Sequence, residues 1–544
     1  MKKTVKTKVI LIVLVSTIFI SATTIRNDFF EIAKQIEIFT TAFKELNMNY
    51  VDDTNPAELM DGALKSMLKD LDPYTQFYNE QDVEAARINN TGDYTGIGAS
   101  VLTLKDKLII VEPYKGYAAD KAGLKAGDEI VKVGDVQIGD YTEDAGDLLK
   151  GSPGSSVRLT YKRQDQLQTV DLIRESQEIK AVPFYKMVNE TTGYIVLRKF
   201  NAKASQETSS ALRSLKNQGA TNLILDLRGN PGGLLNEAVN ITNLFVPKGQ
   251  LVVTTKSKIK KYNKTYYTQR DPIDTEIPLV VLIDGKSASA SEIVSGALQD
   301  LDRAIIVGAR SFGKGLVQRP KSLAYGTQMK ITISRYYTPS GRCIQALDYW
   351  NRDDKGNATR VKKENYNLFK TKKGRSVYDG GGIQPDIEIP LAKDTPITKA
   401  IESNYLIFNY ATDYYYKNSL EDLNTFNFKA SNFNDFKRFI RSQGFSFETN
   451  TEKAFNDAFI VASDENLDDS LKSSYDALIS NIEEYKAQSL DVNKNRLNAL
   501  LEEEIIKRYF YSEGYYEYSI KNNSAVIKSV QLLNNPLEYR DLLE

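Results

Sequence analysis

The 544-residue chain contains no histidine. A serine nucleophile therefore cannot rely on a Ser-His-Asp arrangement, and lysine is the remaining common base. Lysine serves in that role when burial pulls its pKa of ~10.4 toward neutrality. The single cysteine, Cys343, excludes an intrachain disulfide and any cysteine-cluster metal site. It reads as a small buried or half-buried residue. With histidine also missing, zinc and haem sites are disfavoured, and neither a metal nor an organic cofactor is expected. Net charge is absent too: Lys+Arg and Asp+Glu both number 71. No global field argues for nucleic acid as a partner. The glycine run at Gly380–Gly382 lacks a following phosphate-binding helix, so it makes no nucleotide site.

What is present centres on Ile283-Asp-Gly-Lys-Ser-Ala-Ser-Ala-Ser-Glu-Ile293. The apolar run from Pro278 to Ile283 predicts a buried strand, and Glu292 to Leu298 predicts a helix. A serine at that junction lies beside the unpaired N–H groups of a helix start, which favour developing negative charge. The candidate base is Lys314, set between Gly313 and Gly315 after the strand Ala304–Gly308. Flanking glycines let that backbone approach another element closely. Gln318, four residues on, is placed to hydrogen-bond the amine.

These residues, together with Gly296-Ala-Leu-Gln-Asp300 and Leu225-Asp-Leu-Arg-Gly-Asn-Pro-Gly-Gly233, resemble the carboxyl-terminal processing, or tail-specific, serine proteases. The resemblance covers roughly residues 30 to 392. In that family the catalytic lysine lies 25 positions after the serine, which implies Ser289 as nucleophile, rather than Ser287 or Ser291, with Lys314 as base. The turn after Leu227 implies an oxyanion hole that pairs the N–H of Gly232 or Gly233 with that of Ala290. Asp226, Arg228 and Glu292 are expected to form a buried charge network that holds these loops. Residues 93–176 resemble a PDZ domain, with Gly96, Ile97, Gly98 and Ala99 as its carboxylate loop and Thr142–Leu149 as the helix lining its groove. Such a module adds an incoming C-terminus to its sheet edge as an extra strand.

The fold class expected is multidomain α+β. An α/β crotonase-like protease core spans 183–392, with a surface insertion at 346–377. The small β-rich PDZ domain precedes it, and helical regions occupy 28–90 and 395–544. Four short apolar strands alternating with helices support the layered core. In the first helical region Phe29, Phe30, Ile32, Ile36, Phe39, Phe43 and Leu46 form a stripe, while Ser66 and Lys69 read as helix surface. Lys2, Lys3, Lys6 and Lys8 precede an uncharged apolar run from Val9 to Ile25. Residues 1–25 are read as a signal peptide or a retained membrane anchor, which places the protein in the bacterial periplasm or cell envelope.

The activity implied is an exported, ATP-independent serine endopeptidase that cuts loose-tailed polypeptides near free apolar C-termini. A homo-oligomer is compatible with this reading. The rivals are a non-catalytic PDZ adaptor or chaperone, which the serine, lysine and glutamine argue against, and an acyl-coenzyme A enzyme, which would lack a PDZ insert.

Overall fold

A computed structural model describes residues 29–104, 106–141, 144–354, 356–390 and 394–544. The N-terminal run from Val9 to Ile25 and residues Thr142 and Glu143 lie outside the described residues. The chain divides into two units, one made of residues up to Glu80 with Arg319–Thr332, the other of Gln81–Gln318 with Ile333–Glu544.

In the first unit a helix covers 29–49 and a second covers Pro56–Lys69. The second starts at Asn55, whose side chain accepts from the N–H groups of Ala57 and Glu58, with proline at the first helical position. Asp72 then stops the chain in a tight turn, accepting from the N–H groups of Tyr74 and Thr75. The strand Gln76–Tyr78 pairs antiparallel with residues 328–330. Ser66 and Lys69 are exposed on the helix surface, as expected. The stripe of the first helix is helical but uncovered, with Phe29, Ile36 and Phe39 all exposed.

The second unit is built on a six-stranded sheet in the order Phe184–Met187, Thr192–Val196, Asn222–Asp226, Leu279–Ile283, Ile305–Gly308 and Ile387–Glu388. The first pair is antiparallel and the others are parallel. Period-2 alternation splits their side chains between two faces. Leu223, Leu225, Val281 and Ile306 pack with the helices Ala204–Asn217, Leu235–Asn243 and Ala290–Asp300. Ile224, Val280, Leu282 and Ile305 pack on the opposite face with Val526, Leu532 and Leu533. Those three come from the helix Ser524–Leu533, which Pro536–Leu543 follows. The last two helices of the helical region read over 395–544 thus lie on the second face of the protease sheet. The strands are apolar on both faces, so both must be covered.

Residues 93–176 form a separate sheet in the order Ala99–Leu104, Lys107–Pro113, Glu129–Val133, Ser156–Arg163 and Gln166–Ile173, closed over Ile97, Leu108, Ile110, Leu124 and Leu159. Residues 347–352 and 358–360 pair as a hairpin inside the predicted insertion. From 396 to 522 the chain is helical around Tyr410, Phe433, Phe436, Leu497 and Leu501.

Candidate active site

Three serines lie at the junction between strand Leu279–Ile283 and helix Ala290–Asp300, and their environments separate them. Ser287 and Ser291 are fully buried. Their hydroxyls donate to the carbonyls of Leu227, at 2.8 Å, and Asn230, at 2.9 Å. Ser289 alone is partly exposed, and it occupies the N-cap position of the helix it precedes. Its φ of +54° is strained for a residue with a Cβ. A sharp strand-to-helix turn of this kind presents a side chain at the head of the helix.

The strain is held by Glu292, which is fully buried. One of its oxygens accepts from the Ser289 N–H at 2.8 Å and from the Lys314 N–H at 2.9 Å. The other accepts from the Ser311 hydroxyl at 2.5 Å and the Gly313 N–H at 2.7 Å. The backbone nitrogens of Ser289 and Lys314 therefore lie no further apart than the two bonds to their shared oxygen. Burial raises the Glu292 carboxyl above the usual range, against the pull of these four hydrogen bonds.

Gly313 and Gly315 make the close approach expected of them. A Cβ at Gly313 would fall 2.3 Å from that of Ala346, and one at Gly315 would fall 2.9 Å from the Gln345 nitrogen. Lys314 and Gln318 are half-buried, with Gln318 in the strand Leu316–Ser322 that follows.

The turn after Leu227 faces the serine. At Gly232, where φ is +99°, a Cβ would lie 2.9 Å from both the Ser289 Cβ and the Ala290 nitrogen. The Gly232 N–H is taken by the Asn230 side chain at 2.9 Å. The bridge between Phe200 and Gly233 uses the Gly232 carbonyl and the Leu234 N–H, not the N–H of Gly233. Ala290 opens its helix, so position alone gives its N–H no intrahelical partner. The sequence reading assigned no role to Asn230 or Asp284. Asn230 is fully buried and donates to the Leu197 carbonyl, and Asp284 accepts from the Gly229 N–H. A buried asparagine inside a Gly/Pro turn was the available signal.

The expected single charge network is in fact two. Asp226 follows Ile224 in the alternation and so points to the face opposite helix Ala290–Asp300. There it pairs with Arg228 at 2.6 Å and accepts from the Tyr194 hydroxyl at 2.5 Å. Burial opposes charge on Asp226, yet Arg228 and Tyr194 hold its carboxyl below the usual range. Glu292 belongs only to the serine and lysine loops.

In the smaller sheet Gly96, Ile97, Gly98 and Ala99 are buried, with Gly98 at φ +80°. The carbonyls of Ile97 and Gly98 accept from Ala119 and Tyr114. Ala99–Leu104 is an edge strand. The predicted groove helix is a short 3₁₀ turn, Ala145–Leu149, capped by Asp144 and tied to the edge strand by Thr103 at 2.9 Å. Asp144, Gly146 and Asp147 are poor formers of a longer helix. Burial raises the half-buried Cys343 thiol, which keeps it protonated and unreactive.

Residues 191–349 match the family model for Peptidase family S41, which sets the class: a serine-type peptidase. Residues 95–173 match the PDZ domain, and 397–533 match "Probable PDZ-protease, C-terminal helical domain". A carboxy-terminal-processing protease of Bartonella bacilliformis is 35% identical over 322 residues, covering 58% of this chain and 73% of that one. The chain belongs to the carboxy-terminal-processing protease family. A "Probable CtpA-like serine protease" of Staphylococcus haemolyticus is 33% identical over 317 residues, 57% of this chain and 63% of that one. Among solved structures, the photosystem II D1 C-terminal processing protease shares 27% identity, with a TM-score of 0.36 over 64% of this chain and 92% of that one.

Proposed function

We propose that the chain is an exported endopeptidase working through a Ser289–Lys314 dyad on polypeptides whose C-termini are captured by the PDZ module. The observation that carries the dyad is the shared Glu292 oxygen, which brings the backbones of Ser289 and Lys314 together while Ser287 and Ser291 are committed elsewhere. The Ser289 hydroxyl attacks the peptide carbonyl as Lys314 takes its proton, and Lys314 then gives that proton to the departing amine. Water releases the acyl group by the same route in reverse. Gln318 orients the Lys314 amine. The N–H groups of Gly233 and Ala290 hold the oxyanion, a choice supported by the Gly232 N–H being engaged with Asn230.

Tail capture is supported by the edge strand Ala99–Leu104 next to the loop Gly96–Ala99. Export is supported by the basic-then-apolar order of residues 2–25. The test is digestion of an unstructured protein by the wild type and by Ser289→Ala, Ser287→Ala and Ser291→Ala. Only Ser289→Ala should fall by roughly 10⁴-fold or more. An active Ser289→Ala beside a dead Ser287→Ala would move the nucleophile.

A further inference from the structure

The C-terminal helix Lys494–Asn522 touches both the PDZ module and the oxyanion turn, and the contacts are built from polar side chains. At its end, Asn523 accepts from Arg228 Nη1 at 2.7 Å. The same Asn523 oxygen caps the next helix, accepting from the N–H groups of Ala525 and Val526. Asn523 therefore fixes Arg228 to a helix that is itself packed on the protease sheet. A second contact reaches the same residue. Arg198 lies 5.7 Å from the Tyr516 ring centre and donates to the Arg228 carbonyl at 2.6 Å. Arg228 opens the turn that carries Gly232 and Gly233, so its side chain and its carbonyl are both set from this helix.

Midway, the helix is broken at Tyr511, where φ is 59° and ψ is −177°. That region is costly for any residue but glycine, and it persists only where surroundings over-determine it. The surroundings are residues of the PDZ module. The Tyr511 hydroxyl donates to Asp120 at 2.6 Å, and the N–H and hydroxyl of Ser512 both donate to the Glu112 carboxylate, at 2.8 to 2.9 Å. From the break to Asn523 the helix spans about 18 Å at 1.5 Å per residue.

We propose that Asn523 is a positioning residue for the oxyanion turn, and that the helix ending on it is a strut linking the seat of the PDZ module at Glu112 to that turn. The proposal rests on the peptidase reading above. It adds that the donors aimed at the oxyanion are held partly from outside the protease sheet, by a residue 295 positions away in sequence.

The test compares Asn523→Ser, Asn523→Asp and Glu112→Ala in the full chain. Serine still caps the following helix but is too short to reach Arg228, whereas aspartate keeps both contacts. The substrate is an unstructured peptide with an amidated C-terminus, so that lost tail capture does not enter the rate. Asn523→Ser should lower kcat roughly 10-fold with little change in KM and an unchanged melting temperature. Asn523→Asp should restore the rate. Amide exchange at residues 229–233 should quicken in Asn523→Ser and in Glu112→Ala, and stay at the wild-type rate in Asn523→Asp. Exchange reads the strut without reference to activity, and Ser289→Ala in parallel reads the peptidase assignment, so the two fail separately. Unchanged exchange and unchanged kcat in Asn523→Ser would overturn the positioning role. Unchanged exchange in Glu112→Ala alone would overturn the link to the PDZ module.

Discussion

Four hydrogen bonds converge on the carboxylate of Glu292, two on each oxygen. An amide offers one accepting oxygen and one donating nitrogen, so Glu292→Gln must turn two accepted bonds into donor–donor conflicts. Leaving buried donors unpaired costs roughly 1–3 kcal/mol each. Glu292→Gln should therefore lose activity by 10- to 100-fold or more while peptide binding is little changed, a split that steady-state kinetics measures. The raised carboxyl of Glu292 also predicts a pH effect. Because the folded state binds this proton more tightly than the unfolded chain, whose glutamate titrates near ~4.3, protonation stabilises the fold as pH falls. Activity should fall over that same window, since the protonated acid accepts fewer bonds. An acid limb above the ordinary glutamate range, without a matching loss of melting temperature, is the expected result. Lys314→Arg should be inactive at every pH, because guanidinium does not give up its proton. The family spacing and the glycine context pointed to Ser289 and Lys314, whose backbone N–H groups meet on one oxygen of Glu292. The sequence did not reveal that Glu292 ties the serine and lysine loops to each other, because a pairing between loops about 20 residues apart leaves no local pattern.

The loop Arg228–Gly233 works as a unit, tied to the serine segment by Ser291 and Asp284, while Ser287 holds the carbonyl of Leu227 just before it. Gly232→Ala would place a methyl group 2.7 Å from the Ala288 carbonyl oxygen in a backbone region that disfavours side chains. It should cost roughly 10²-fold in kcat by displacing Ser289, with circular dichroism confirming that the protein still folds. Wild-type kcat in this variant would show that the turn does not abut the nucleophile. At this scale the strands and helices of the core were legible, because runs such as Leu279–Ile283 and the helix starts after them carry strong local signals. The network joining Asp226 to Glu292 was misread. Only the sheet's alternation sends Asp226 to the far face, and strand phase relative to a partner sheet face is a tertiary property.

For the whole molecule, the PDZ reading predicts that two otherwise identical unfolded peptides, one acid and one amide at the C-terminus, compete unequally. A charge-assisted hydrogen bond of roughly 1.5–3 kcal/mol implies a 10- to 100-fold preference for the acid. Equal cleavage would reject carboxylate recognition. The PDZ and protease segments were legible from motifs and the helical regions from their apolar stripes, but the covering of the sheet's second face was not. Nothing local in Ala525, Val526, Leu532 or Leu533 distinguishes them from the apolar stripe of any amphipathic helix. That covering has a consequence for biosynthesis. The strand Ile305–Gly308 is translated some 215 residues before the helix Ser524–Leu533 that must lie across it. Throughout that interval the sheet has one bare apolar face, and Asn523 has not yet been joined to hold Arg228. A nascent chain thus carries Ser289 and Lys314 long before the second face of the sheet beneath them is covered.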